Sequence, residues 1–499
     1  MLLIDFSSRG WESWGVERQP LIREGMPVLV DDDLRFEDGP GNPRATVVVN
    51  RWLRELPVNG APARRTWRVY AEALRAWLEF LSERGVAPFG SRQELRAVLS
   101  AYAGHRLSES PQHRWDGSTW NLHVTALSRF YEWAQAERYA TAGPLSYSSG
   151  TRIAEGTVWT QRRNHAKLRP AKRHAQIKYL EHDFAALLLH ALAGLTPEGG
   201  PDEAYRGRAL GRNAAVGRLA LASGLRRQEL TYLLVYEIPP LPARRSAVPV
   251  EFPLGRGTTK GSKPRTTWID YDSLVEVWDY VRLERTAAAR RGGWQPPAQL
   301  GEPLRVRDPD WEGARINGVR RSWRTLTPNE RLRLVSPDGA ACLLALQSTG
   351  APFTDWATVL RRTSQRIRRR FEPRFPIVSP HRLRHTFAMH TLERLIRGYY
   401  QQAAALVKDT DADAALALYL TMSDPMAVLR DLLGHSSVTT TQLYLSRLDI
   451  TRVYRDAYAA AAPDTALPDT STFGDGVGAE FHAEFDAEFD GDFDDEASG

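Results

Sequence analysis

Tyr444 stands next to last in the stretch "LLGHSSVTTTQLYL" (432–445), nine residues after His435 and behind a run of serines and threonines. Thr439 and Gln442 have capping-box spacing, so a helix carrying Tyr444 is expected from about Thr440. The Gly434–His435 pair falls in the turn before it. One short segment can therefore bring an imidazole and a phenol to the same cleft. A phenol with a pKa of about 10 is a poor nucleophile near neutral pH. Two arginines around a phosphate change that, because they favour the phenolate and stabilise the added charge of five-coordinate phosphorus. Such chemistry needs no metal.

Two further segments supply the guanidinium groups. In "SPHRLRHTFAMH", Ser379 suits an N-cap and Pro380 a first helical position. His381, Arg384 and His385 then share one face near the positive end of a helix, a phosphate-binding arrangement. The two histidines also have the i, i+4 spacing of a zinc pair, but no Glu follows the first and Arg384 repels a cation. In "LALASGLRRQELTYLLV" a helix is expected to end near Gly224 and another to begin at Arg226. An arginine there opposes the helix dipole, a placement that a bound anion would justify; Glu229 is placed to hold it. The expected hairpin "FPLGRGTTKGSKPRTTWID" carries Lys260 and Lys263 around a Gly-Ser turn. Only six of the 66 basic residues are lysines. Lysine can give up a proton where arginine cannot, so Lys260 is the preferred acid and Lys263 the alternative.

The elements that must hold these groups are mostly helical. The 499 residues allow about three domains. A hydrophobic content of 42% with 25% charged residues fits a soluble globular protein. Neither a secretory leader nor a membrane span is legible, and the single Cys342 excludes an internal disulfide or a cysteine zinc cluster, so a cytoplasmic protein is expected. From Asp464 onward there are 12 acidic residues and no Lys or Arg, leaving 66 basic against 48 acidic in the body. That body calls for a polyanion, nucleic acid foremost.

Residues 1–45 read as an irregular N-terminal arm and 46–145 as an all-helical domain with aromatic and basic faces. Two of its helices, in "SRQELRAVLSAYAGHRL" and "STWNLHVTALSRFYEWAQAERY", are each expected to open on a serine, Ser91 and Ser118. Residues 146–175 read as a basic linker. The segment 176–460 reads as a larger, mostly helical domain, with loop-rich insertions near 286–335 and 400–428. Residues 461–499 read as an acidic disordered tail with Phe every four residues. "LRRTSQRIRRRFEPR" (360–374), with seven arginines, is expected to be a DNA-facing helix.

The segments "SGLRRQEL", "TTKGSKPRT", "HRLRHTFA" and "LLGHSSVTTTQLYL" resemble, in order and form, those of the tyrosine recombinases, the phage-integrase family. The resemblance covers about 176–450, and 46–145 is similar, less specifically, to that family's core-binding domain. It implies a mainly α fold with a small β-hairpin or sheet: a helical core-binding domain plus a mixed, mostly helical catalytic domain. It also implies that Arg226 and Arg384 clamp the scissile phosphate. His381 and His435 would hydrogen-bond that phosphate and manage the nucleophile's proton. Lys260 would protonate the leaving 5′ oxygen, and Tyr444 would attack to leave a 3′-phosphotyrosyl link. Glu229 and His385 match supporting positions. No cofactor is implied; the partners are double-stranded DNA, three further copies in a tetramer on two sites, and an accessory factor setting direction. The gap of 51 residues from Arg384 to His435 is long for the family. A type IB topoisomerase-like nicking and resealing enzyme is the alternative, and a catalytically inactive DNA-binding accessory protein is the rival of another class.

Overall fold

The computed structural model describes residues 1–39, 41–61, 64–108, 114–154, 157–168, 177–409 and 425–433, with Tyr444 and Val453. The chain divides into one unit over Met1–His174 and a second beginning at Ala175.

In the first unit, β1 (Leu2–Asp5) pairs antiparallel with β2 (Pro27–Val30), and β3 (Glu37–Gly39) with β4 (Asn42–Pro43). Met26 and Leu29 from this segment are buried in the helical core. The arm thus carries short paired strands within a largely irregular course, and β2 packs apolar side chains onto the helices. Those helices are α1 (Ala45–Glu55), α2 (Arg64–Ser82), α3 (Arg92–Ser108) and α4 (Gly117–Ala136). Along α2, Trp67, Tyr70, Leu74, Trp77 and Leu81 recur at three and four and are buried, the mark of a core-facing stripe. Ser91 caps α3 through a reciprocal pair with Glu94. The cap of α4 is Asp116, not Ser118: its carboxylate accepts from the Thr119 N–H at 2.7 Å. A charged acceptor at the positive helix end wins over the hydroxyl. The stretch expected to be a linker instead forms a hairpin, β5 (Tyr147–Ala154) with β6 (Thr157–Asn164).

The second unit begins with α5 (His182–Leu192), α6 (Leu210–Ser223) and α7 (Arg227–Thr231). The hairpin β7 (Val250–Leu254) and β8 (Arg265–Ile269) follows, then α8 (Tyr271–Tyr280), which continues through one π-helical turn into α9 (Thr286–Ala289). Residues 286–335 are not loop-rich. They hold β9 (Leu304–Arg307), β10 (Gly313–Ile316), β11 (Val319–Ser322), α10 (Pro328–Arg333) and β12 (Leu334–Val335), the strands forming one sheet in the order β11-β10-β9-β12. Short strands of two to four residues leave too weak an alternation to read. The sheet has its own core, Val306, Ile316, Trp323, Leu326 and Leu343, fastened by the buried Arg331–Glu237 ion pair.

The remaining helices are α11 (Trp356–Arg370), α12 (Pro380–Asp409) and α13 (Pro425–Leu433). As expected, Ser379 caps α12, accepting from the Arg382 N–H at 3.2 Å. Of the arginines on α11 and after it, Arg366 and Arg370 pair with buried Asp202, and Arg374 pairs with Glu372. Arg361, Arg362, Arg368 and Arg369 are exposed. Much of the expected 400–428 insertion, and the 461–499 tail, lie outside the described residues. The expected fold class, mainly α with small sheets, holds. No helix among the described residues is long and apolar enough to cross a membrane.

Candidate active site

The break between α6 and α7 positions Arg226. Gly224 ends α6 at φ 59°, and a Cβ there would lie 2.2 Å from the Phe387 ring. Only glycine gives both the left-handed turn and that approach. Arg226 then sits at the N-cap of α7, as its spacing predicts. The Glu229 carboxylate accepts from its backbone N–H at 2.8 Å and from its guanidinium at 3.3 Å.

Arg384 reaches the same place from the first turns of α12. It is buried, and donates to the Gly224 carbonyl at 2.5 Å and to the Leu433 carbonyl. Arg226 also donates to the Leu433 carbonyl, at 3.2 Å. A third guanidinium joins them: Arg265, the first residue of β8, donates to Glu229 at 2.6 Å and to the Leu432 carbonyl at 2.5 Å. Three arginines thus gather around one buried carboxylate and the C-terminal carbonyls of α13, whose dipole end attracts cations. Burial, then repulsion from Arg226 and Arg265, pushes Arg384 down to about 9. The cluster is short of negative charge, the condition for holding an anion.

Burial alone would raise the Glu229 carboxyl, but Arg265 first, then Arg226 and Arg384, hold it below its ordinary 4.5. Its stabilising contribution is therefore present above pH 4.5 and is lost as pH falls through the lower folded value. Glu229→Gln should cost roughly 3–5 kcal/mol, because it strands three guanidiniums. It should also flatten the acid limb of stability. Urea unfolding across the acid range checks both.

Tyr444 has helical backbone and is buried among Phe387, Leu429, Leu433 and Val453. Its hydroxyl lies 2.8 Å from Nδ1 of His385. Burial drives the phenol up to about 12, against the pull of Arg384 and Arg226. His385 in turn meets His381 edge to face, ring centroids 4.2 Å apart, and His381 is exposed.

Of the six expected residues, Arg226, Arg384 and Tyr444 share one locality, and His381 adjoins it through His385. Lys260 opens the short turn Lys260–Ser262 between β7 and β8. Its side chain, and all of His435, lie outside the described residues; Lys263 is exposed. The lysine hairpin is tied to the arginine cluster by its own Arg265. Its loop also rests on the inserted sheet: the Gly257 N–H donates to the Arg324 carbonyl at 3.0 Å. A Cβ on Gly257 would lie 2.1 Å from the Leu326 carbonyl oxygen.

Two members of the site escape the sequence reading. Arg265 falls on the inward face of β8 with Thr267 and Ile269, a position that strand alternation would have flagged. His385, read as a supporting residue, contacts the phenol itself.

Residues 49–138 match the model of the phage integrase N-terminal SAM-like domain, over most of α1 to α4. The first unit therefore holds a phage-integrase-type SAM-like domain. No curated protein matches it. Among solved structures, the XerH site-specific recombinase bound to difH substrate in a pre-cleavage complex is 14% identical over 82% of this chain and 83% of that one, with a TM-score of 0.40. XerA recombinase is 15% identical over 84% and 99%, with a TM-score of 0.31. These likenesses carry no argument beyond similarity. The arginine cluster, the phenol and the lysine hairpin all lie in the second unit, outside the matched domain.

Proposed function

We propose that the chain is a site-specific DNA recombinase that cuts and rejoins strands through a 3′-phosphotyrosyl link at Tyr444, without metal or ATP. The observation that carries this reading is a buried phenol clustered with Leu433, whose carbonyl both Arg226 and Arg384 hold, and hydrogen-bonded to His385 at 2.8 Å. Arg226 and Arg384 hold the nonbridging oxygens of the scissile phosphate, with Arg265 and Glu229 fixing their positions. The Tyr444 oxygen forms the new bond to phosphorus as the bond to the 5′ oxygen breaks. The phenol proton passes to an imidazole, for which His385 is placed at 2.8 Å. Lys260, with Lys263 the alternative, gives a proton to the leaving 5′ oxygen. His381 and His435 hydrogen-bond the phosphate. Rejoining reverses these steps with another strand's 5′ hydroxyl, in a tetramer on two duplexes whose direction an accessory factor sets.

A duplex nicked so that the cleaved end diffuses away tests the reading. A covalent protein–DNA adduct should accumulate in EDTA. Binding without any adduct would favour the accessory protein. An adduct with relaxation of a single plasmid but no exchange between two duplexes would favour the topoisomerase-like enzyme.

A phenol at about 12 is almost wholly neutral at pH 8, so attack needs a proton acceptor. His385→Ala should slow single-turnover cleavage by roughly 10²–10⁴-fold. The residual rate should climb steadily with pH toward the phenol's own titration. A pH–rate series on the nicked duplex measures it; an unchanged rate would remove His385 from the mechanism.

A further inference from the structure

The inserted sheet bears a row of arginines that the cleavage chemistry does not use. In its register Arg307 of β9 lies opposite Arg315 of β10, which lies opposite Arg320 of β11. All three are exposed, and Arg305 joins them on the same face, two residues from Arg307. The other face buries Val306, Ala314 and Ile316 in the sheet's core. Like charges directly opposite on neighbouring strands destabilise a sheet. Here three stand side by side, about 5 Å from strand to strand. Only Arg320 has a carboxylate partner among the described residues, Asp310 at 2.6 Å. A repulsive row with one carboxylate against its three facing arginines is relieved when a line of negative charge lies across it.

We propose that this face is a second phosphate-binding surface, taking the backbone of duplex DNA that flanks the cleavage site. The inference rests on the recombinase reading and extends it to a part of the chain outside the family's motifs. The sheet is not a loose appendage. Its Arg324 carbonyl and Leu326 backbone pack against Gly257, in the loop that leads to Lys260. Duplex held by the arginine row is therefore held by a body fastened to the lysine loop. Guanidinium groups at strand spacing match a phosphate backbone by charge, not by base, so the contact adds affinity and orientation without choosing sequence.

The test compares the full-length protein with its R307Q/R315Q/R320Q and R307K/R315K/R320K variants, by anisotropy on a random-sequence duplex over a salt series. The glutamine variant should bind more weakly. Its plot of log affinity against log salt should be shallower by roughly 0.9 for each lost phosphate contact, up to about 2.7. The lysine variant should stay near wild type, because counterion release counts charges. All three proteins should form the Tyr444 adduct on a short nicked duplex. An unchanged slope in the glutamine variant overturns the proposal while leaving the recombinase reading intact. Tighter binding by that variant also overturns it, and assigns the row to the chain's own acidic segment beyond Asp464. Loss of the adduct in the wild type itself is the separate failure of the underlying reading.

Discussion

Tyr444→Phe is expected to eliminate the covalent protein–DNA adduct, a fall of roughly 10³-fold or more, as for removal of a nucleophile elsewhere. The change deletes one oxygen. The ring keeps its place against Phe387, Leu429 and Leu433, and the hydrogen bond lost to His385 is worth only about 0.5–1.5 kcal/mol. Folding and DNA affinity should therefore be nearly those of the parent. Labelled nicked duplex, denaturing gels and a binding curve on one preparation give all three readouts. An adduct that survives would transfer the attack to another phenol, with Tyr454 and Tyr458 the nearest downstream in sequence.

Arg384→Ala should be the other severe loss, at least roughly 10³-fold in single-turnover cleavage, the scale seen when a guanidinium that meets transition-state charge is removed. Its setting explains why the effect should exceed that of a surface arginine. The side chain is buried, and its donors hold the carbonyls of Gly224 and Leu433. Alanine leaves those oxygens short of a partner, removes the charge that draws the phenol downward, and should lower the thermal midpoint as well. Lysine should rescue little, because one ammonium on a flexible stem cannot reproduce a fork spanning two carbonyls and a phosphate. Measuring cleavage and melting together separates the two losses. A variant that melts early yet cleaves at the parental rate would exclude Arg384 from the chemistry.

The same residues mark how far the chain could be read without coordinates. The cap at Ser379, the turn at Gly224, the Arg226–Glu229 pair and the lysine hairpin all depend on neighbours within a few positions. Helix and turn geometry impose those relations locally, so spacing alone reveals them. The N-terminal strands, the β5–β6 hairpin and the inserted sheet were missed, because short strands acquire their pattern only from the partner they pair with.

Arg265 makes the limit clearest. It meets Leu432 across 167 positions of chain, and the same carboxylate that steadies Arg226 receives it. His385 likewise meets a phenol 59 residues away. Residue types and local spacing were enough to nominate the arginines and the tyrosine as partners in phosphate chemistry. Which guanidinium braces which, and which imidazole touches the phenol, depends on how separate helices and a hairpin pack around one buried cluster of charge. Long-range packing has no period along the chain, and so no local pattern could announce it.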